Sequence, residues 1–250
     1  ILLKISGIMI ELLKGWFFSL KPSSQAIVGF LLVIFIGSLF LWAPASTPGA
    51  GHLSYTDAFF TSTSAVCVTG LIVVDTDKDL SFFGQAVVLI LIQVGGVGII
   101  LASSFLILSF NQPVSLEYRL TLQQSFVNWP FERVKRAIVQ AFAVLFLAEA
   151  AGAGLLWYGF SDNHSTLTAL WHGVFHSISA ACNAGFSVNT ESVVHYAENP
   201  LIIITMGALI VIGGLGFLVL AELTGESDDS QHFTIHTKAM VLGTIILITV

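Results

Sequence analysis

Two stretches of this chain are copies of one another. Ala58–Leu71 reads AFFTSTSAVCVTGL, and Gly173–Phe186 reads GVFHSISAACNAGF. At a constant offset (185 − 70 = 115) they agree at Phe60/Phe175, Ser62/Ser177, Ser64/Ser179, Ala65/Ala180, Cys67/Cys182 and Gly70/Gly185. A chain that repeats itself repeats a structural unit. Each copy also has the same neighbours: a long apolar segment before it, and after it another that holds Gly-Gly-x-Gly. That order describes a membrane helix, a short re-entrant loop and a second membrane helix. Irregular backbone persists at membrane depth only where it lines a cavity or is buried in protein. The repeat therefore predicts an all-α integral membrane fold made of helix–pore-loop–helix units.

Composition agrees. Hydrophobic residues make up 55% of the chain and charged residues 10%, against about 25% charged in a soluble domain. The net charge of −6 points to no partner, and nothing suggests nucleic-acid binding. The two cysteines occupy matching repeat positions, so they report the repeat rather than a disulfide or a metal centre. The histidines lack metal-ligand spacing. Lys4, Glu11 and Lys14 interrupt the opening apolar run, so no cleavable signal peptide is expected. No nucleophile, catalytic dyad or nucleotide loop points to an enzyme, and no organic cofactor is expected. Gly95-Gly-Val-Gly98 lies inside an apolar helix rather than after a strand, so it reads as close helix packing and not as a dinucleotide loop.

Six segments are expected. Residues 1–22 form a cytoplasmic or interfacial lead-in and 23–112 a first pore-loop repeat. Residues 113–136 form a cytoplasmic connector, 137–224 a second repeat and 225–237 a cytoplasmic loop. Residues 238–250 begin a third repeat. Ala26–Ala43 is uncharged and near the ~20 residues that span a bilayer. Ser54 with Asp57 resembles a capping box for a pore helix running to about Ala65. A second pore helix is expected over Thr166–Ala180, a long helix from Ser81 to Phe110, and one spanning segment over Leu201–Leu223. Of the nine cations, Lys4, Lys14, Lys21, Arg119, Arg133, Lys135, Arg136 and Lys238 fall on one side of this map and only Lys78 on the other. The positive-inside rule then places the N-terminus in the cytoplasm of a cell whose plasma (inner) membrane the chain crosses several times. Both pore loops enter from the outside, beside Asp57, Asp75, Asp77, Asp79, Asp162, Glu191 and Glu198. An acidic vestibule attracts cations.

A narrow cation pore must replace the water an ion sheds, and backbone carbonyls can do so. Gly70 and Gly185 stand where extended, ion-facing backbone needs a glycine. Each follows a short helix whose negative C-terminal end points toward the ion path. Glu149, mid-membrane in FLAEAAG, is either an ion-pathway group or an acceptor that supports the pore loop.

At these residues the chain resembles a known family. Thr63–Leu71 is similar to the first filter loop of the KtrB/TrkH family of potassium uptake transporters, and Asn183–Ser187 to that family's second. Gly95–Gly98 and Gly213–Gly216 resemble the glycine-rich inner helices that follow, and His232–Lys238 the entry to a third repeat. The short lead-in favours the KtrB-like branch. The resemblance implies repeated units of the potassium-channel type, pseudo-fourfold in the complete protein. Potassium would be held by filter backbone carbonyls: Val68, Thr69, Gly70 and Leu71 in one strand, and Asn183, Ala184, Gly185 and Phe186 in another. Cys67, Cys182 and Glu149 would support the pore. The resemblance also implies K+ as the ion with Na+ stimulation or symport, a homodimer in membrane lipid, and a cytoplasmic nucleotide-binding regulatory ring as partner. Only two repeats and the start of a third are present, so the sequence is expected to be the N-terminal half of a longer chain. Two other readings share the repeat plan: the potassium-binding subunit of an ATP-driven pump, and a two-repeat channel acting as a dimer. A transporter with inverted repeats fits less well, because these repeats run in the same direction.

Overall fold

The computed structural model describes residues 22–49, 51–98, 131–223 and 233–249. Most of the expected lead-in, the connector up to residue 130, the first long helix beyond residue 98 and most of the loop before the third repeat lie outside the described residues. The described residues are helical and contain no strand.

The first unit comprises α1 (Pro22–Trp42), α2 (Tyr55–Val66) and α3 (Phe82–Val97). α1 buries Ile34, Ser38 and Leu41 at helical spacing. Its opposite face exposes Leu32, Ile36 and Phe40, which are equally apolar. An apolar exposed face suits lipid. α1 stops where Pro44 opens a 3-10 turn, Pro44–Ser46, because proline disfavours helix at the residue before it. The Ser54 hydroxyl accepts from the Asp57 N–H at 3.1 Å and caps α2. It donates in turn to the Asp57 carboxylate at 2.7 Å, so the expected capping box closes through the hydroxyl rather than the backbone.

The second unit comprises α4 (Phe131–Phe160), α5 (Thr166–Ala181), α6 (Pro200–Gly214) and α7 (Phe217–Leu223). α4, over Glu132–Phe160, is the one helix among the described residues long and apolar enough to cross a membrane by itself. Ile27–Trp42, Phe82–Val97, Pro200–Gly214 and Ile235–Thr249 are shorter apolar helices. Asn199 accepts from the Leu201 and Ile202 N–H groups and starts α6 with Pro200 in the first turn. α8 (Ile235–Thr249) follows.

The two units are built alike. Ser62 Oγ donates to the Ile34 carbonyl of α1 at 2.7 Å, and Ser177 Oγ donates to the Glu149 carbonyl of α4 at 2.7 Å. Both pairs obey the offset of 115. Gly95 of α3 lies directly against the Val66 carbonyl, and Gly213 of α6 against the Ala181 carbonyl, leaving no room for a Cβ at either. The inner helices thus sit on the last residues of the pore helices.

The expected single span over Leu201–Leu223 is interrupted between α6 and α7. Gly216 there has φ +77°, which a right-handed helix cannot contain. Gly98, with φ +80°, ends α3 at the matching position of the first unit. The pore helices end in register but differ in length: α2 has 12 residues and α5 has 16. α5 therefore starts about one turn earlier than the first repeat suggests.

Candidate functional site

The site forms where the chain leaves the two pore helices. Cys67 caps the C-terminus of α2, donating its N–H to the Thr63 carbonyl at 2.8 Å; Cys182 does the same at α5, donating to the Ile178 carbonyl at 2.9 Å. Next, Val68 N–H reaches the Ala65 carbonyl, and Asn183 N–H the Ala180 carbonyl. Val68 and Asn183 have φ +55° and +57°; Gly70 and Gly185 have φ +70° and +73°. Thr69 and Ala184 between them are not in that region. Residues of alternating handedness turn successive peptide dipoles to one side. A positive φ is tolerated at asparagine but is a true outlier at β-branched valine. Strain of this kind persists where the surroundings impose it, and it clusters at functional sites.

Serine hydroxyls hold the strands. Ser64 Oγ donates to the Leu71 carbonyl at 2.7 Å, and Ser179 Oγ donates to the Phe186 carbonyl at 2.6 Å. Each clamp returns the end of a strand to its own pore helix. Ser64 and Thr69 also share a hydroxyl contact at 2.9 Å, which Ala184 cannot reproduce. Sequence reasoning matched Ser64 with Ser179 as repeat positions but assigned neither a role. A hydroxyl seven residues before the clamped carbonyl in both copies was the available signal.

The two strands touch. A Cβ added at Gly70 would lie 2.6 Å from the Ala184 carbonyl oxygen and 3.3 Å from Gly185 Cα. The structure thus brings Val68–Leu71 and Asn183–Phe186 side by side, at the C-terminal ends of two helices whose dipoles favour a cation there.

Behind the second strand, His176 is fully buried. Its Nδ1 meets the His172 carbonyl at 2.8 Å and its Nε2 meets Ser187 Oγ at 2.9 Å. It packs behind the Asn183–Phe186 segment, where the first unit has Thr61. Near the start of α5, His164 Nε2 and the Tyr196 hydroxyl lie 2.9 Å apart, and burial pushes the Tyr196 phenol above its ordinary range.

Glu149 is 5% exposed. Its carboxylate accepts no pore-loop N–H; Oε1 accepts from Gln93 Nε2 of α3 at 3.0 Å. The pore helix is held by the Glu149 backbone carbonyl instead. Gln93 drew no attention in the sequence. A further bond joins the units between α3 and α5, where Trp171 Nε1 donates to Gln85 Oε1 at 2.7 Å. Cys182 is buried in the seam between the units, against Gly96, whereas Cys67 is exposed.

Residues 19–233 match the family TrkH, described as cation transport protein. The chain is 34% identical over 230 residues to Ktr system potassium uptake protein B of Bacillus subtilis (strain 168), covering 90% of this chain and 50% of that protein. It is 32% identical over 225 residues to Ktr system potassium uptake protein B of Vibrio alginolyticus, covering 90% and 49%. Against the potassium/sodium uptake protein NtpJ of Enterococcus hirae it is 28% identical over 229 residues, covering 92% and 51%. The chain spans about half the length of the curated relatives it matches. With repeated helix–pore-loop–helix units and a family match over most of its length, this chain belongs to the TrkH family of membrane cation transport proteins.

Proposed function

We propose that this chain is the potassium-translocating part of a bacterial-type uptake system, passing K+ through a filter of backbone carbonyls. The alternation of handedness at Val68/Gly70, repeated at Asn183/Gly185 on an adjoining strand, carries this reading. Such backbone can offer a row of carbonyl oxygens to a dehydrated cation. Val68 to Leu71 and Asn183 to Phe186 are the proposed ligand strands, with Ser64 and Ser179 as their anchors. The relatives named for potassium uptake support K+ as substrate. The one named for potassium/sodium uptake supports a role for Na+, as a coupled or stimulating ion.

A full ring needs four strands, and the seam between the units supports that count. Phe175 and Cys182 of α5 are buried against the first unit, at 0% and 8% exposure. Their first-unit counterparts, Phe60 at 39% and the exposed Cys67, lie on the matching face of α2, which meets no such neighbour among the described residues. Rotation of the observed seam about a central axis puts a further pore-loop unit there. The greater length of the relatives supports two more units on one polypeptide. On this reading the N-terminal side is cytoplasmic, the complete subunit dimerises in the lipid bilayer, and a cytoplasmic nucleotide-binding ring regulates it. The experiment is complementation of bacteria that lack potassium uptake, with K+ and Na+ influx measured separately. The complete subunit is expected to restore growth on limiting potassium and to favour K+. Growth without K+ influx, or influx blind to the two ions, overturns the reading.

A further inference from the structure

Two residues depart from the repeat plan, and they are bonded to each other. The offset of 115 that pairs Ser62 with Ser177 pairs Ile34 with Glu149. Gly95 and Gly213 make the same close contact, and their offset (213 − 95 = 118) pairs Gln93 with Val211. The first unit builds its outer helix with isoleucine where the second has Glu149. The second builds its inner helix with valine where the first has Gln93. Neither polar residue is therefore required to make a pore-loop unit. Yet Gln93 Nε2 donates to Glu149 Oε1 at 3.0 Å across the boundary between units. Gln93 Oε1 is buried and meets no partner among the described residues. A half-satisfied polar pair at membrane depth is a poor device for stability and a better one for register.

Both ends of the bond back onto the filter. Gln93 lies two residues before Gly95, which rests on the Val66 carbonyl at the end of α2, two residues before Val68. The Glu149 carbonyl holds Ser177, two residues before the Ser179 hydroxyl that clamps Phe186. The side-chain bond thus ties the support of one strand to the support of the other, where Gly70 lies against Ala184.

We propose that Gln93 and Glu149 form a positioning latch between the two units, which sets the spacing of the filter strands and with it the preference for K+ over Na+. This proposal rests on the potassium-filter reading above. The test uses the complete subunit in membranes, with K+ and Na+ influx and the amount of folded protein measured together. Glu149→Ile and Gln93→Val install the residue that the other unit carries at that position. Each alone strands a buried polar partner and is expected to lower the folded amount. The double variant removes both polar groups, so it is expected to assemble like the wild type while its preference for K+ falls about three- to tenfold, the scale of one lost hydrogen bond. Glu149→Asp keeps the carboxyl but shortens its reach; it assembles, and its preference falls in the same direction. Glu149→Gln keeps an acceptor oxygen for Gln93 Nε2 and should restore the preference lost in Glu149→Asp. An assembled double variant with wild-type preference overturns the latch, and so does an unchanged Glu149→Asp. A wild-type subunit with no preference for K+ overturns the filter reading instead, so the two failures are distinguishable.

Discussion

Replacement of Gly70 and of Gly185 by alanine should have unequal effects, although both occupy the same position of the repeat. Gly70 and Gly185 have φ +70° and +73°. A side chain in that region costs roughly 1–2 kcal/mol at either place. Their surroundings differ. At Gly185 an added Cβ meets only Gly70 Cα, at 3.5 Å, an ordinary contact. At Gly70 it meets the Ala184 carbonyl oxygen at 2.6 Å and Gly185 Cα at 3.3 Å. Both are backbone atoms of the other strand and cannot rotate away as a side chain can. Forced backbone shifts in a packed site cost a further ~1–3 kcal/mol. Gly185→Ala should therefore cost about 1–2 kcal/mol, and Gly70→Ala about 2–5 kcal/mol.

The larger penalty falls on the geometry of the Ala184 carbonyl, a proposed ion ligand on the strand that was not mutated. Gly70→Ala should accordingly lose most of its preference for K+ over Na+, whereas Gly185→Ala retains a reduced preference. The assay is paired K+ and Na+ influx in cells lacking their own potassium uptake, normalised to the protein in the membrane. If Gly185→Ala is impaired as much as Gly70→Ala or more, the argument from strand contact is wrong. If neither variant changes the ratio of the two ions, these glycines do not face the ion path.

Three further outcomes can be checked. Ser64→Ala and Ser179→Ala each release one strand-end carbonyl, at about 1 kcal/mol; each should lower the K+/Na+ influx ratio, and a ratio unchanged in both would show that the clamps do not shape the filter. Trp171→Phe leaves Gln85 Oε1 without its 2.7 Å donor at the seam between units, at about 1–3 kcal/mol, so the thermal unfolding midpoint of detergent-solubilised protein should drop while Trp42→Phe serves as an unaffected control. For orientation, single cysteines at Gly49 and Asp162 should react with an impermeant reagent added outside intact cells and one at Lys238 should not; labelling at 238 alone would invert the topology.

The repeat was legible because several of its matched residues have the same physical task in both copies. Ser64 and Ser179 clamp a carbonyl, Ser62 and Ser177 tie pore helix to outer helix, and Gly70 and Gly185 take a left-handed backbone. Sequence identity follows task identity, so alignment of the chain with itself located the site. The start of α2 was legible where Ser54 supplies a capping oxygen. The break between α6 and α7 was not legible, because Gly213–Gly216 reads equally well as a close-packing stretch within a continuous helix. Only the φ of Gly216 distinguishes the two. The left-handed Val68 was also hidden. No propensity assigns valine to that region, and the constraint comes from the pore helix on one side and the adjoining strand on the other.

The residues that differ between the copies carry the information that self-alignment discards. A ring of four identical units needs only one seam, repeated. Here the seam residues are not repeated: Trp171 donates to Gln85, while Thr56 stands at the matching position of α2. Gln93 meets Glu149, while Val211 and Ile34 stand at theirs. Fusing units into one polypeptide frees each seam to use its own chemistry, since no residue has to serve every interface at once. Specific pairs at each seam then fix which unit sits beside which. The two proposed filter strands are inequivalent as well, with Thr69 bonded to Ser64 in one and Ala184 buried in the other. On the proposed four-strand reading, such a pore need not treat its sides alike, and its ion preference would depend on the seams as well as on the strands. The unequal alanine effects at Gly70 and Gly185 and the Gln93–Glu149 exchange test that statement from opposite ends, one at the strand and one at its support.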